Sequence, residues 1–160
     1  MLRRFRQFRD ASIPPSPDDY ALAREWLPPP LMVLFEVQHP RDIVHTANTA
    51  RWLLARGHRE ADLVAAAFLH DVAKGQQRRR DRVAFVLAQW LRLQHIAPSS
   101  SSRLEMRRAA YRSAVHSAAG AERLRAAGAP DRVVELVGRH HAKAGDDGML
   151  ALLQQADAAN

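Results

Sequence analysis

The chain contains no cysteine, and this absence excludes whole classes of site. Without thiols there can be no disulfides and no thiolate metal ligands, so a metal site would have to use imidazole and carboxylate groups. No apolar run approaches the roughly 18–20 residues that a membrane span requires. The N-terminus also lacks the apolar core of a secretory signal. These absences predict a cytoplasmic protein with no integral membrane span.

Aromatic residues are also scarce, at 6% of the sequence, and β-branched residues are few. Alanine and leucine dominate instead, and apolar residues recur at spacings of three and four. This periodicity is typical of amphipathic helices and predicts an all-α fold. At 160 residues the chain has the length of one domain and is long enough to bury a core without disulfides.

The net charge of +7 comes almost wholly from arginine, since only two of the 24 basic residues are lysines. Such a balance is compatible with an anionic partner such as a nucleotide, a nucleic acid or an acidic lipid. Alternatively, the high arginine content reflects a genome that favours arginine codons and says nothing about a partner. Residues 1–17 form a basic arm in which Leu2, Phe5 and Phe8 alternate with arginines. The arm can pack on the domain or contact an acidic surface.

Prolines, glycines and acidic residues mark the expected helix ends. A helix capped by Asp18 or Asp19 should run through Trp26, and Pro40 should begin another that stops at Gly57. His116 is expected to open or interrupt a segment that ends before Gly128. The other expected helices cover about residues 31–37, 60–74, 82–96, 103–115, 131–141 and 149–158. A basic loop at 76–82 and a serine-rich connector after Pro98 complete the region 75–112.

The stretch 66–75 is the centre of the functional prediction. An apolar run, 63–69, ends in the adjacent pair His70 and Asp71. Burying a carboxylate costs free energy unless a cation or several hydrogen-bond donors lie nearby. We therefore expect Asp71 to have such a partner, for example a metal ion. Lys74 follows one turn later, where it could bind a substrate phosphate or only meet the carbonyls at the helix end.

Other histidines and an aspartate supply candidate ligands for such a metal. They lie on separate helical segments, as do the ligands of metal centres in the cores of helical bundles. Imidazole and carboxylate groups without sulfur suit Fe, Mn, Zn, Ni or Co. The candidate residues are His45, His70, Asp71, His116, His140, His141 and Asp157. The remaining histidines, His39, His58 and His95, are expected at the surface.

The ordered set resembles the signature of a known family. His45, the pair His70-Asp71 within LHDVAKG, and Asp157 within LLQQADAAN resemble the four-residue signature of the HD-domain superfamily of metal-dependent phosphohydrolases. The block HSAAGAERLRAAGAPDRVVELVGRHH is similar to one in binuclear HD proteins. Those include HD-GYP cyclic-dinucleotide phosphodiesterases and HD-domain diadenosine tetraphosphate hydrolases. The Gly-Tyr-Pro motif is missing here, which disfavours cyclic di-GMP hydrolysis.

The resemblance covers residues 40–160 and implies an HD-domain bundle of about seven to nine helices. It implies a single domain at 18–160, with the region 75–112 inserted between metal motifs. The first metal would be held by His45, His70, Asp71 and Asp157. Asp71, the predicted catalytic residue, would bridge to a second metal bound by His116 and His140. The part played by His141, whether ligand, substrate contact or support for a ligand, stays open.

The implied chemistry is hydrolysis of a phosphate ester or anhydride, in a nucleotide, by a bridging water that two divalent metals activate. Arg78, Arg79 and Arg80 could bind substrate phosphates, although a run of charges is more often a solvated face. One alternative is an HD-type di-iron oxygenase that cleaves a C–C or C–P bond. Another is a non-catalytic module that binds a nucleotide or a partner.

Overall fold

The computed structural model describes residues 14–74 and 105–160, with side chains in the second stretch described from His116 onward. Every regular element in these two stretches is an α-helix, which confirms the all-α prediction. In chain order they are α1 (Pro17–Trp26), α2 (Pro29–Glu36), α3 (Pro40–Leu54), α4 (Ala61–Leu69), α5 (Glu105–Ala126), α6 (Asp131–Arg139) and α7 (Gly148–Ala159). Three predicted segments lie outside the described residues, namely the arm up to residue 13, the predicted loop 76–82 with Arg78, Arg79 and Arg80, and the predicted helix 82–96.

The cap of α1 differs from the prediction. Ser16, and neither Asp18 nor Asp19, is the N-cap, because the Ser16 hydroxyl accepts from the Asp19 backbone N–H. The Asp19 carboxylate in turn accepts from the Ser16 backbone N–H at 2.6 Å, which completes a capping box. The same carboxylate pairs with Arg51 of α3 at 2.6 Å. Asp19 therefore joins the start of α1 to the helix that carries His45.

Helix α4 is the centre of the bundle. All residues from 63 to 69 are buried, and the helix packs against α1, α2, α3, α6 and α7. A helix that is apolar on every side is stable only when other elements surround it, so the buried run predicted from sequence is confirmed. The aromatic rings of Phe35 and Phe68 meet edge to face at 5.4 Å and tie α2 to this core.

The helix ends earlier than the sequence suggested, at Leu69 and not near Lys74. His70 is its C-cap, and Val72 N–H then donates to the Leu69 carbonyl three residues back. Lys74 N–H likewise donates to the Asp71 carbonyl. These tighter bonds turn residues 70–74 out of the helix. His70 and Asp71 consequently stand on a turn at the buried end of α4.

Helix α5 runs without interruption across His116, so the predicted break at this residue is wrong. Its neighbouring sequence contains no proline, and His116 is compatible with a helix interior. The predicted stops at Gly57 and Gly128 are confirmed, since both glycines have positive φ, at 87° and 74°. Within the ranges 14–74 and 105–160, none of the helices combines the length and apolarity that crossing a membrane demands.

Candidate metal centre

Three helices bring together a first cluster of possible metal ligands, made of His45, His70 and Asp157. His45 lies in the second turn of α3, His70 caps α4, and Asp157 is near the end of α7. The His45 Nε2 is 2.9 Å from Asp157 Oδ1, and the His70 Nε2 is 3.6 Å from the same oxygen. The possible ligand atoms all lie within 4.8 Å of one another, so one ion could contact all three.

A second cluster consists of His116, His140 and His141. His116 projects from α5, whereas His140 and His141 follow the last turn of α6. The His116 Nε2 is 3.2 Å from the Nε2 of His140 and 3.2 Å from the Nε2 of His141. His141, whose part the sequence left open, thus lies in the cluster with a ring nitrogen directed at the same point as the other two.

Asp71 lies between the two clusters and faces both. Its Oδ2 is 3.7 Å from His70 Nε2 and 3.9 Å from His45 Nε2. Its Oδ1 is 3.4 Å from His116 Nε2. The residue is only 3% exposed. One carboxylate therefore directs one oxygen to each cluster, which is the arrangement that a bridging ligand needs.

Lys74 has a partner that the sequence did not predict. Its Nζ is 2.5 Å from Asp71 Oδ2, so the ammonium contacts the carboxylate, whereas the helix-end carbonyl that the sequence offered as a partner is not contacted among the described residues. Its side chain is 23% exposed, and so is that of His45. Asp157 is 32% exposed, whereas His70, Asp71 and His116 are buried. The site is thus closed on the α4 side and accessible along the edge formed by His45, Lys74 and Asp157.

The two carboxylates are ionised at neutral pH although they are largely buried. Burial alone would raise the pKa of Asp71, but His70, His116, Lys74 and His45 hold it well below its usual value. Burial would likewise raise the pKa of Asp157, and contacts with His45 and His70 lower it instead. Both side chains are therefore in the form that binds a cation.

Two of the histidines in the second cluster are neutral. Burial, reinforced by the nearby His70, lowers the pKa of His140 to about 3. Burial and then His116 lower the pKa of His141. Neutral imidazole is the form of histidine that ligates metals. His70 differs from these two histidines. Burial would lower its pKa, but the Asp71 and Asp157 carboxylates outweigh this effect and raise it.

The ring orientations fit a metal bound through Nε2. The Nδ1 of His70 lies 2.9 Å from the Ala67 carbonyl, and the Nδ1 of His140 lies 2.7 Å from that of Val137. Each Nδ1 must carry a proton to donate to a carbonyl, so in the neutral ring each Nε2 presents a lone pair to the site. The buried His70 Nε2 has no hydrogen-bond partner among the described residues, which is costly unless a cation binds there. Nitrogen and oxygen donors of this kind fit a divalent transition metal.

Three further residues contact the segments that carry the candidate ligands. The sequence did not predict a role for any of them. Gln154, three residues before Asp157, donates to the carbonyls of His140 and Ala142. Gly120, four residues after His116, packs against Val72. Arg123 donates to the Val72 carbonyl at 3.1 Å. Helical spacing from the candidate ligands could have singled out Gln154 and Gly120, because residues three or four apart share a helix face.

Comparison with known proteins identifies one family. The family model described as HD domain matches residues 41–158, which is more than half of the chain. The match contains all seven candidate ligands, from His45 to Asp157. Neither the curated proteins nor the solved structures gave a significant match.

Proposed function

The chain belongs to the HD-domain family, whose members are mostly metal-dependent hydrolases, and from this premise we propose that it is a metal-dependent phosphohydrolase. Its proposed substrate is a phosphate ester or anhydride of a nucleotide. The proposed centre holds two divalent transition metals, one on His45, His70 and Asp157 and the other on His116, His140 and His141. Asp71 is the proposed bridge.

The position of Asp71 is the observation that supports this function most directly. It is buried, it is ionised, and its two oxygens face different histidine clusters. A buried carboxylate of this kind destabilises the fold unless cations compensate its charge. Two nearby groups of neutral or carboxylate-paired histidines are suited to hold such cations.

Bound divalent metals would supply Lewis-acid polarisation of a phosphoryl oxygen and would lower the pKa of a water molecule. The protein groups supply orientation. The Nδ1 hydrogen bonds of His70 and His140 keep their rings fixed, so no rotation is required when a substrate binds. Asp71, with its depressed pKa, remains an anion at neutral pH and serves as a ligand and not as a proton acceptor.

A phosphate substrate would approach from the accessible edge of the site. Lys74 lies on this edge beside Asp71, where its ammonium can contact a phosphate oxygen as a point charge. The net charge of +7 favours the approach of a polyanion such as a nucleotide. These two features support an anionic substrate, and the nucleotide is the class that we propose.

The test is metal analysis of anaerobically purified protein, followed by assays on a panel of phosphate monoesters, diesters and nucleotide anhydrides. Release of phosphate or of a nucleotide product that depends on added Mn²⁺, Co²⁺ or Fe²⁺ is the expected result. Turnover that consumes oxygen and requires iron would replace hydrolysis by the oxygenase alternative. Undiminished function in metal-free Asp71→Ala protein would instead identify a binding module. Asp146→Ala, at an exposed acidic residue, is the matched control.

A further inference from the structure

Helix α7 contacts both clusters through two side chains one turn apart. Asp157 belongs to the first cluster. Gln154 reaches the other cluster, where its Nε2 donates to the His140 carbonyl at 3.0 Å and to the Ala142 carbonyl at 2.6 Å. The residue between these two carbonyls is His141. A single side-chain amide therefore holds the backbone on both sides of a candidate ligand.

The carbonyls at the end of α6 show why this contact matters. The last carbonyls of a helix have no partner within the helix and need one elsewhere. His140 Nδ1 donates to the Val137 carbonyl, and Ala142 N–H donates to the Arg139 carbonyl at 2.7 Å. Gln154 binds two of the carbonyls beyond Arg139, those of His140 and Ala142. The turn that presents His140 and His141 is thus held by its own residues on one side and by Gln154 on the other.

We propose that Gln154 is a positioning residue for the second cluster. It sets the backbone orientation of the turn 140–142, so that the rings of His140 and His141 meet His116. Because Asp157 lies on the same helix, Gln154 also keeps the second cluster at a constant distance from the first. This inference rests on the proposed metal centre and adds a residue that contacts no ligand ring in the structure.

The chemistry of the side chain suits this role. A primary amide has two N–H donors in one plane, and both are needed to reach two carbonyls. Methionine has nearly the same length and shape but has no donor. Gln155, the next residue, is exposed, and its side chain makes no hydrogen bond among the described residues. The chain therefore offers a matched pair, Gln154→Met and Gln155→Met.

The experiment is a titration of the metal-free full-length protein with Co²⁺. Binding is monitored by visible absorption and by calorimetry. In the wild type two equivalents should bind. In Gln154→Met the affinity for one equivalent should fall by about 10- to 100-fold, as is typical when support for a ligand is lost. The affinity for the other equivalent should stay within about twofold. Gln155→Met should match the wild type in both.

Repeating the titration in His116→Ala protein shows which of the two metal sites Gln154 supports. That variant keeps only the first cluster intact, so adding Gln154→Met should change its remaining affinity by no more than about twofold. If Gln154→Met does not fold, Gln154→Asn retains the amide on a stem one methylene shorter and should weaken the same equivalent. Equal weakening of both equivalents, or no weakening, would overturn the positioning role. A wild type that binds no Co²⁺ would overturn the metal centre itself, which is a distinguishable result.

Discussion

The imidazoles of His70 and His140 occupy equivalent positions on two different helices, and their ring centroids are 5.3 Å apart. Each is the C-cap of a nine-residue helix, α4 or α6. Each has its Nδ1 within hydrogen-bond distance of the carbonyl three residues before it. Two helix ends therefore meet at the site, and each orients its own histidine by the same local hydrogen bond.

Replacing Asp71 by alanine should abolish binding of both metals. A bridging carboxylate serves two ions, and without it each cluster loses an anionic ligand. Elemental analysis of purified Asp71→Ala should find less than one metal per chain, whereas Asp146→Ala should resemble the wild type. Retention of two equivalents by Asp71→Ala would refute the bridge.

Replacing His116 by alanine should remove mainly the second metal. The His116 Nε2 contacts His140 and His141 of the second cluster and also Asp71. His141→Ala should weaken the same metal, which assigns His141 as a ligand. Metal stoichiometry and Co²⁺ spectra measure both effects. His58→Ala, at a partly exposed histidine away from both clusters, is the control, and equal loss of both metals in His116→Ala would contradict the two-site arrangement.

Gly120→Ala should destabilise the contact between α5 and the turn that carries Asp71. A Cβ at this position would lie 3.2 Å from Val137 Cγ1 and 3.3 Å from Val72 Cγ1. Both valines are buried and have stiff β-branched side chains, so overpacking should cost about 1–3 kcal/mol. This exceeds the gain of roughly 0.5–1 kcal/mol from better helix propensity.

Urea unfolding and Co²⁺ affinity test this prediction together. The free energy of unfolding should fall, and the affinity of the second site should fall with it because His116 lies one turn away on the same face. Gly148→Ala is the control, since a Cβ there would meet nothing within 4 Å. A more stable Gly120→Ala protein would show that the valines can move aside.

The ion pair between Arg132 and Asp147 should make stability depend on pH. Asp147 caps α7, and its hydrogen bonds with Arg132 and with Leu150 N–H lower its pKa from the ordinary 3.8. Because the folded protein binds this proton less readily than the unfolded chain, the stabilisation is complete above pH 3.8 and is lost as the pH falls through the lower folded-state pKa.

Asp147→Asn keeps an oxygen for the helix cap but removes the charge. At neutral pH this variant should be less stable by up to about 1 kcal/mol, the usual contribution of a partly exposed pair. The difference from the wild type in unfolding free energy should shrink as the pH is lowered. A difference that is constant with pH would contradict the ion-pair contribution, and Asp146→Asn is the control.

Removing metal should lower the melting temperature. Ions that bind only the folded state stabilise it, by about 2.7 kcal/mol per site at a concentration 100-fold above Kd. Differential scanning calorimetry before and after chelation should show the loss, and added Co²⁺ should reverse it in a concentration-dependent way. Asp71→Ala should not respond to the chelator, and a wild type that is equally stable with and without metal would contradict the prediction.

The sequence was sufficient for the helical class and for naming the candidate ligands that the structure brings together. Periodic apolar residues require helices, and the buried run before His70 and Asp71 requires that α4 be surrounded. The chemistry of imidazole and carboxylate then limits the ligands that such a core can assemble. These inferences depend on residue type and local spacing, which a single sequence contains.

Only the tertiary structure decided how these residues meet. It directed the two oxygens of Asp71 to different clusters, brought His141 beside His116, and gave Lys74 a carboxylate partner. It also put Gln154 against the turn after α6. Each of these contacts depends on the angles at which α4, α5, α6 and α7 pack, because small changes in helix packing move side-chain ends by ångströms. Local sequence limits where a helix can begin and end, as the glycine stops at Gly57 and Gly128 show, but it did not give the end of α4. The packing of many side chains together determines where the helix ends lie in space.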